Sequence, residues 1–168
     1  MKHKNQIKLL EPIQKLSCLH IENKVSLLFD IYGGIDIMGA AAGNQIKLYA
    51  CSIVNHVDAV KFDINTDIGD YAVKVLAHEF RHVQQLNFQD LPQVYNEHRR
   101  KHMGIKPDGW TQDGYLSDPG ELDARDFADY MVKALKPSYK KKLARLIKWV
   151  HRKQYNDWYS FRFNYCVE

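Results

Sequence analysis

His78-Glu79-Phe80-Arg81-His82 sets two imidazoles and a carboxylate at a spacing that suits metal chemistry, inside the strongly helical run Asp70 to Phe88. Residues four apart on a helix lie one turn above each other, so His78 and His82 can bind one ion together. Neutral imidazole suits zinc, and two histidines plus one carboxylate leave a position open for water. Glu79, beside that position, can take a proton as the water attacks a carbonyl. With this histidine and glutamate content, an accidental HExxH in 168 residues has a probability of roughly one in a hundred. The surroundings strengthen the reading. Ala72, Leu76, Phe80 and Val83 form an apolar stripe at helical spacing, with His78 and His82 at its margin beside Val75. Ligands at the edge of a buried face fit the wall of a cleft better than a fully solvated helix.

A third ligand is expected downstream, in Ser117-Asp118-Pro119-Gly120-Glu121-Leu122-Asp123-Ala124. Asp118 followed by Pro119 reads as a helix N-cap with proline at the first helical position. On that helix Ala124, Phe127, Ala128, Met131 and Leu135 make the apolar face, Glu121 lies along its edge, and Asp123, Asp126 and Asp129 point the other way. A carboxylate on the inward edge needs a partner, and zinc would supply one. Glu121 also stands at capping-box spacing from Asp118, so a helix cap is the competing reading. His98 and His102 form another pair four apart, but in the basic stretch Asn96 to His102, where no apolar periodicity sets them against a core. His3, His20, His56 and His151 have no metal-ligand spacing.

Val75 to Gln85, followed by Glu121-Leu122-Asp123-Ala124 and Phe127-Ala128, resembles the small gluzincin-type metallopeptidases. The later block is similar to the ExxA…FA pattern of the ImmA/IrrE metallopeptidases, and the HExxHxxQ start resembles short metallopeptidase-like domains of toxin and secretion-associated proteins. The resemblance covers about thirty residues in two blocks. It implies a zincin-like fold, zinc held by His78, His82 and Glu121, peptide-bond hydrolysis with Glu79 as general base, and an edge strand that pairs with an extended substrate. Two positions depart from the pattern. Arg81 stands where zincin helices usually carry an uncharged residue, so its guanidinium must find solvent or a carboxylate. Arg125 stands where thermolysin-like enzymes place the aspartate that orients the first histidine, so that acceptor must come from elsewhere, with Asp123 and Asp126 as candidates. The metzincin third histidine is absent, because position 88 is Phe.

The remaining sequence must position these residues. A length of 168 residues with 45% hydrophobic content is expected to make one α+β domain, residues 1–168, with a small twisted N-terminal sheet packed on the HExxH helix and further helices after it. Val25 to Tyr32 and Ile46 to Val54 read as strands around a flexible, glycine- and alanine-rich connection at Ile37 to Gly43. Ile46 to Val54 is the expected substrate-pairing edge. Asn87 to Pro119 reads as a long loop over the cleft, carrying Tyr95, Tyr115 and His98 as conceivable oxyanion donors. Ser138 to Lys153 reads as a basic amphipathic helix on Leu143, Leu146, Ile147 and Val150. The alternation of Phe161, Phe163 and Tyr165 within Tyr155 to Val167 favours a packed terminal strand.

Composition narrows the setting. The net charge of +4 and the lack of a recognised nucleic-acid motif leave nucleic-acid binding unsupported, so the basic helix is read as a solvated face. No stretch approaches transmembrane length, and Lys8, Glu11 and Gln14 interrupt any signal-like segment. Cys18, Cys51 and Cys166 are odd in number and widely spaced, as in a reduced cytoplasmic protein. The expectation is a zinc metalloendopeptidase acting on a peptide or protein. The alternative is a zinc-binding regulatory or DNA-associated protein with a zincin fold and little turnover.

Overall fold

The computed structural model describes residues 3–17, 25–30, 37–60, 67–87 and 118–165. In chain order the elements are α1 (His3–Leu16), β1 (Ser26–Asp30), β2 (Gly39–Ala42), β3 (Gln45–Tyr49), α2 (Ala50–Val60), α3 (Ile68–Asn87), α4 (Pro119–Ala134) and α5 (Pro137–Tyr165). The architecture is α+β and mostly helical.

The three strands run in the order β1-β3-β2, with β1 parallel and β2 antiparallel to β3. The β2–β3 hairpin turns on Gly43-Asn44, where Gly43 takes φ of 53°, a conformation that costs glycine nothing. Leu27, Ile46 and Leu48 are buried and face α3, whose Ala72, Leu76, Phe80 and Val83 supply the expected stripe. Ile147 and Leu143 of α5, Met131 and Ala128 of α4, and Leu9 and Ile13 of α1 complete one core.

Several expectations about elements are corrected. Ile46 to Val54 is not one strand: β3 ends at Tyr49 and α2 starts at Ala50. Ala50, Ile53 and Val57 are buried at helical spacing, so core burial overrides the strand preference of the β-branched residues. Ile37 to Gly43 is not merely a flexible connection, because Gly39–Ala42 pairs along β3. The expected terminal strand in Tyr155 to Val167 is instead the continuation of α5 through Tyr165. Of the loop expected over the cleft, residues 88–117 lie outside the described residues, and with them Tyr95, His98, His102 and Tyr115.

Direct bonds set the helices against one another. Asp67 accepts from the Gly69 N–H ahead of α3 at 2.6 Å, and a Cβ on Gly69 would meet the Lys140 carbonyl oxygen at 2.7 Å, so α3 and α5 touch backbone to backbone at their starts. Lys140 pairs with Asp70 at 2.8 Å, and the Tyr139 hydroxyl donates to the Leu9 carbonyl at 2.6 Å. Beyond this contact α5 turns a basic face outward, with Trp149 exposed among Arg145, Lys148 and Arg152. Among the described residues no helix is long and apolar enough to cross a membrane.

Candidate metal centre

α4 begins as the sequence predicts. Asp118 accepts hydrogen bonds from Gly120 N at 2.8 Å and Glu121 N at 3.1 Å, with Pro119 at the start of the helix. Asp118 therefore caps the helix by itself. The Glu121 carboxylate turns instead toward α3.

There it meets both histidines. His78 Nε2 and His82 Nε2 are 3.0 Å apart, Glu121 Oε2 is 3.2 Å from His78 Nε2, and Glu121 Oε1 is 3.4 Å from His82 Nε2. Among the described residues this trio is the one group of three or more such side chains able to share an ion. Tetrahedral zinc with bonds of about 2.0–2.1 Å requires its donors to stand roughly 3.3–3.4 Å apart. The spacings present are close to that edge length, with the two nitrogens slightly nearer. Glu121 Oε2 is buried and makes no hydrogen bond, and a bound cation would satisfy it. The donor set and the unsatisfied oxygen thus fit zinc.

The electrostatics follow from the packing. Burial pushes the Glu121 carboxyl up, but the closely facing rings of His78 and His82 outweigh it and hold it well below the usual carboxylate range. Burial pushes His82 down, and bonds to Glu121 and Gln85 more than reverse that, so it sits above the ordinary histidine value. Glu79 is buried at 9% exposure, and this burial raises its carboxyl above the usual value despite the nearby imidazoles.

The first departure from the zincin pattern finds a structural answer. Arg81 donates to Asp123 through Nε at 2.7 Å and through a terminal nitrogen at 2.9 Å, and its guanidinium carbon lies 5.1 Å from the Phe127 ring centre. An acceptor is present for the second histidine rather than the first: Gln85 Oε1 lies 2.9 Å from His82 Nδ1. Asp123 acts one step further out, accepting from Gln85 Nε2 at 2.8 Å. Asp123 and Asp129, expected to point away, both reach back to α3, Asp129 by pairing with Lys74 at 2.8 Å. Long basic side chains on α3 span the distance.

The edge of the sheet also differs from expectation. β3 is central, and β2 is the edge strand beside α3. Tyr49 N donates to Met38 O at 2.9 Å, and Gly39 lies opposite Leu48, so peptide groups of Met38, Ala40 and Ala42 face β3 while those of Gly39 and Ala41 face outward. Next to this edge an open cavity of about 420 Å³ is lined by Ile37, Met38, Gly39, Tyr71, Lys74, Val75, His78 and Glu79. Sequence reasoning missed Gly39 and Gln85. Gln85 was legible as the residue three after His82, on the same helix face; Gly39 carried no signal beyond a run of small residues.

No protein-family model matches the chain, and neither a curated protein nor a solved structure does.

Proposed function

We propose that the protein is a zinc-dependent metallopeptidase of the zincin type, with the gluzincin ligand set His78, His82 and Glu121. The observation that carries this reading is the convergence of those three donor groups at zinc-like spacing, with Glu79 one residue along the same helix. The antiparallel edge strand beside the HExxH helix, and a third ligand from a later helix, support the zincin comparison.

Zinc, when bound, supplies a Lewis acid that polarises water and the peptide carbonyl. Glu79 takes the proton from the attacking water and passes it to the leaving amine nitrogen. The outward peptide groups of Gly39 and Ala41 hold an extended substrate by strand addition, and the adjoining cavity receives one of its side chains.

Elemental analysis of the purified protein, together with cleavage of a peptide library followed by mass spectrometry, tests the reading. One zinc per chain is expected, with cleavage that a chelator abolishes and added zinc restores. Zinc-free protein after purification in zinc, or zinc-loaded protein that cleaves no peptide, overturns it.

A further inference from the structure

Gln85 touches neither the reacting atoms nor the open position of the proposed centre, yet its side chain is buried and committed at both ends. Its Nε2 donates to the Gly120 carbonyl at 2.9 Å and to Asp123 Oδ2 at 2.8 Å, while its Oε1 faces His82 Nδ1 at 2.9 Å. These partners remove the ambiguity of the amide. A carbonyl oxygen and a carboxylate only accept, so the amide must turn its NH₂ toward them and its oxygen toward the imidazole. Asp123 stays a pure acceptor because Arg81 donates to both of its oxygens. An amide oxygen also only accepts. His82 Nδ1 must therefore carry the hydrogen, which in the neutral ring leaves Nε2 with a bare lone pair pointing at His78 and Glu121.

We propose that Gln85 is a positioning residue that locks His82 in the Nδ1–H tautomer and so presents its Nε2 as a metal ligand, with Arg81 and Asp123 fixing the direction of the amide. The oriented ligand belongs to the metal centre of the reading above, on which this inference rests.

Two variants separate this role from simple helix bracing. Gln85→Leu and Gln85→Glu both lose the donations to Gly120 and Asp123, so both should lower the melting temperature of the metal-free protein. Only Gln85→Leu loses the acceptor. Zinc affinity, read by competition with a chromophoric chelator, should fall roughly 10- to 100-fold in Gln85→Leu and stay within about threefold of the parent in Gln85→Glu. In parallel, ¹⁵N NMR of the metal-free protein at a pH where imidazole is neutral should find His82 in the Nδ1–H form in the parent and not in Gln85→Leu. Equal losses of zinc affinity in both variants, no loss in either, or a parent His82 in the Nε2–H form would each overturn the proposal. A parent that binds no zinc while its His82 is Nδ1–H would refute the metal centre and leave Gln85 fixing a tautomer without a ligand function.

Discussion

Gly39 on the free edge of the sheet is packed so tightly against Glu79 that a Cβ at position 39 would stand 2.7 Å from Glu79 Cγ and 2.9 Å from Val75 Cγ1. The edge strand can lie this low over α3 only because the residue has no side chain. Gly39→Ala forces either the strand or the carboxylate to move, and overpacking of this kind costs about 1–3 kcal/mol. We expect Gly39→Ala to retain one zinc while peptide cleavage drops by about tenfold or more, since ~1.4 kcal/mol in the barrier is a factor of ten. Zinc content measured beside kcat/KM checks this; unchanged cleavage would mean that the strand's closeness to Glu79 has no part in the reaction.

Glu79→Gln separates proton transfer from metal binding. The amide has nearly the same size but cannot accept the proton, so kcat should fall by about 10²- to 10⁴-fold with zinc content and melting temperature preserved. Turnover near that of the parent would sink the proposed base.

Glu121→Gln and Asp118→Ala divide ligand from cap. Asp118 holds both N–H groups at the start of α4, so its removal should cost about 1–2 kcal/mol in urea unfolding. Glu121→Gln should leave that stability almost intact and weaken zinc by more than the roughly 10- to 100-fold expected for loss of a supporting partner. His78→Ala and His82→Ala should lose zinc on mild chelation. If Glu121→Gln instead bound zinc like the parent, the third ligand would have to be sought elsewhere.

The zinc-induced rise in melting temperature should grow from about pH 6 to about pH 8. His82 of the metal-free fold is raised above its ordinary value by Glu121 and Gln85, so its protonated form contributes stability that is fully present below about pH 6.5. That contribution is lost as pH rises through the raised value. Zinc needs the neutral imidazole, so it competes with the proton in this window and gains as the proton leaves. Melting curves with and without zinc across the range provide the check, and an increment that is flat or larger at the acid end contradicts it.

Much of the chemistry could be read from local patterns. The HExxH helix, the Asp118-Pro119 helix start and the inward course of Glu121 each depend on spacings of three or four residues, and all three stand in the structure. The sheet was less legible. Whether a strand lies at an edge depends on partners far along the chain, so Ile46 to Val54 gave no sign that β3 would be central. β2 is built from Gly39 and three alanines, residues that strand propensity disfavours, and at Gly39 closeness to α3 leaves no room for a side chain. The alternating Phe161, Phe163 and Tyr165 misled for a related reason: a period of two over a few residues cannot outweigh a helix already propagating from Pro137.

α5 gives the molecule an electrical polarity that its modest net charge conceals. Residues 137–153 hold seven of the 24 lysines and arginines and none of the 20 acidic residues, so the rest of the chain is net −3. This basic stretch of the helix is about 26 Å long, whereas the screening length in physiological salt is only about 8 Å. An approaching ion or surface near this stretch therefore feels its local charge and not the sum of +4. Adsorption to a cation-exchange matrix should follow the charge of this one rod. Neutralising Lys141, Arg145 and Lys148 would release the protein at much lower salt, while neutralising as many cations elsewhere would leave its elution nearly unchanged.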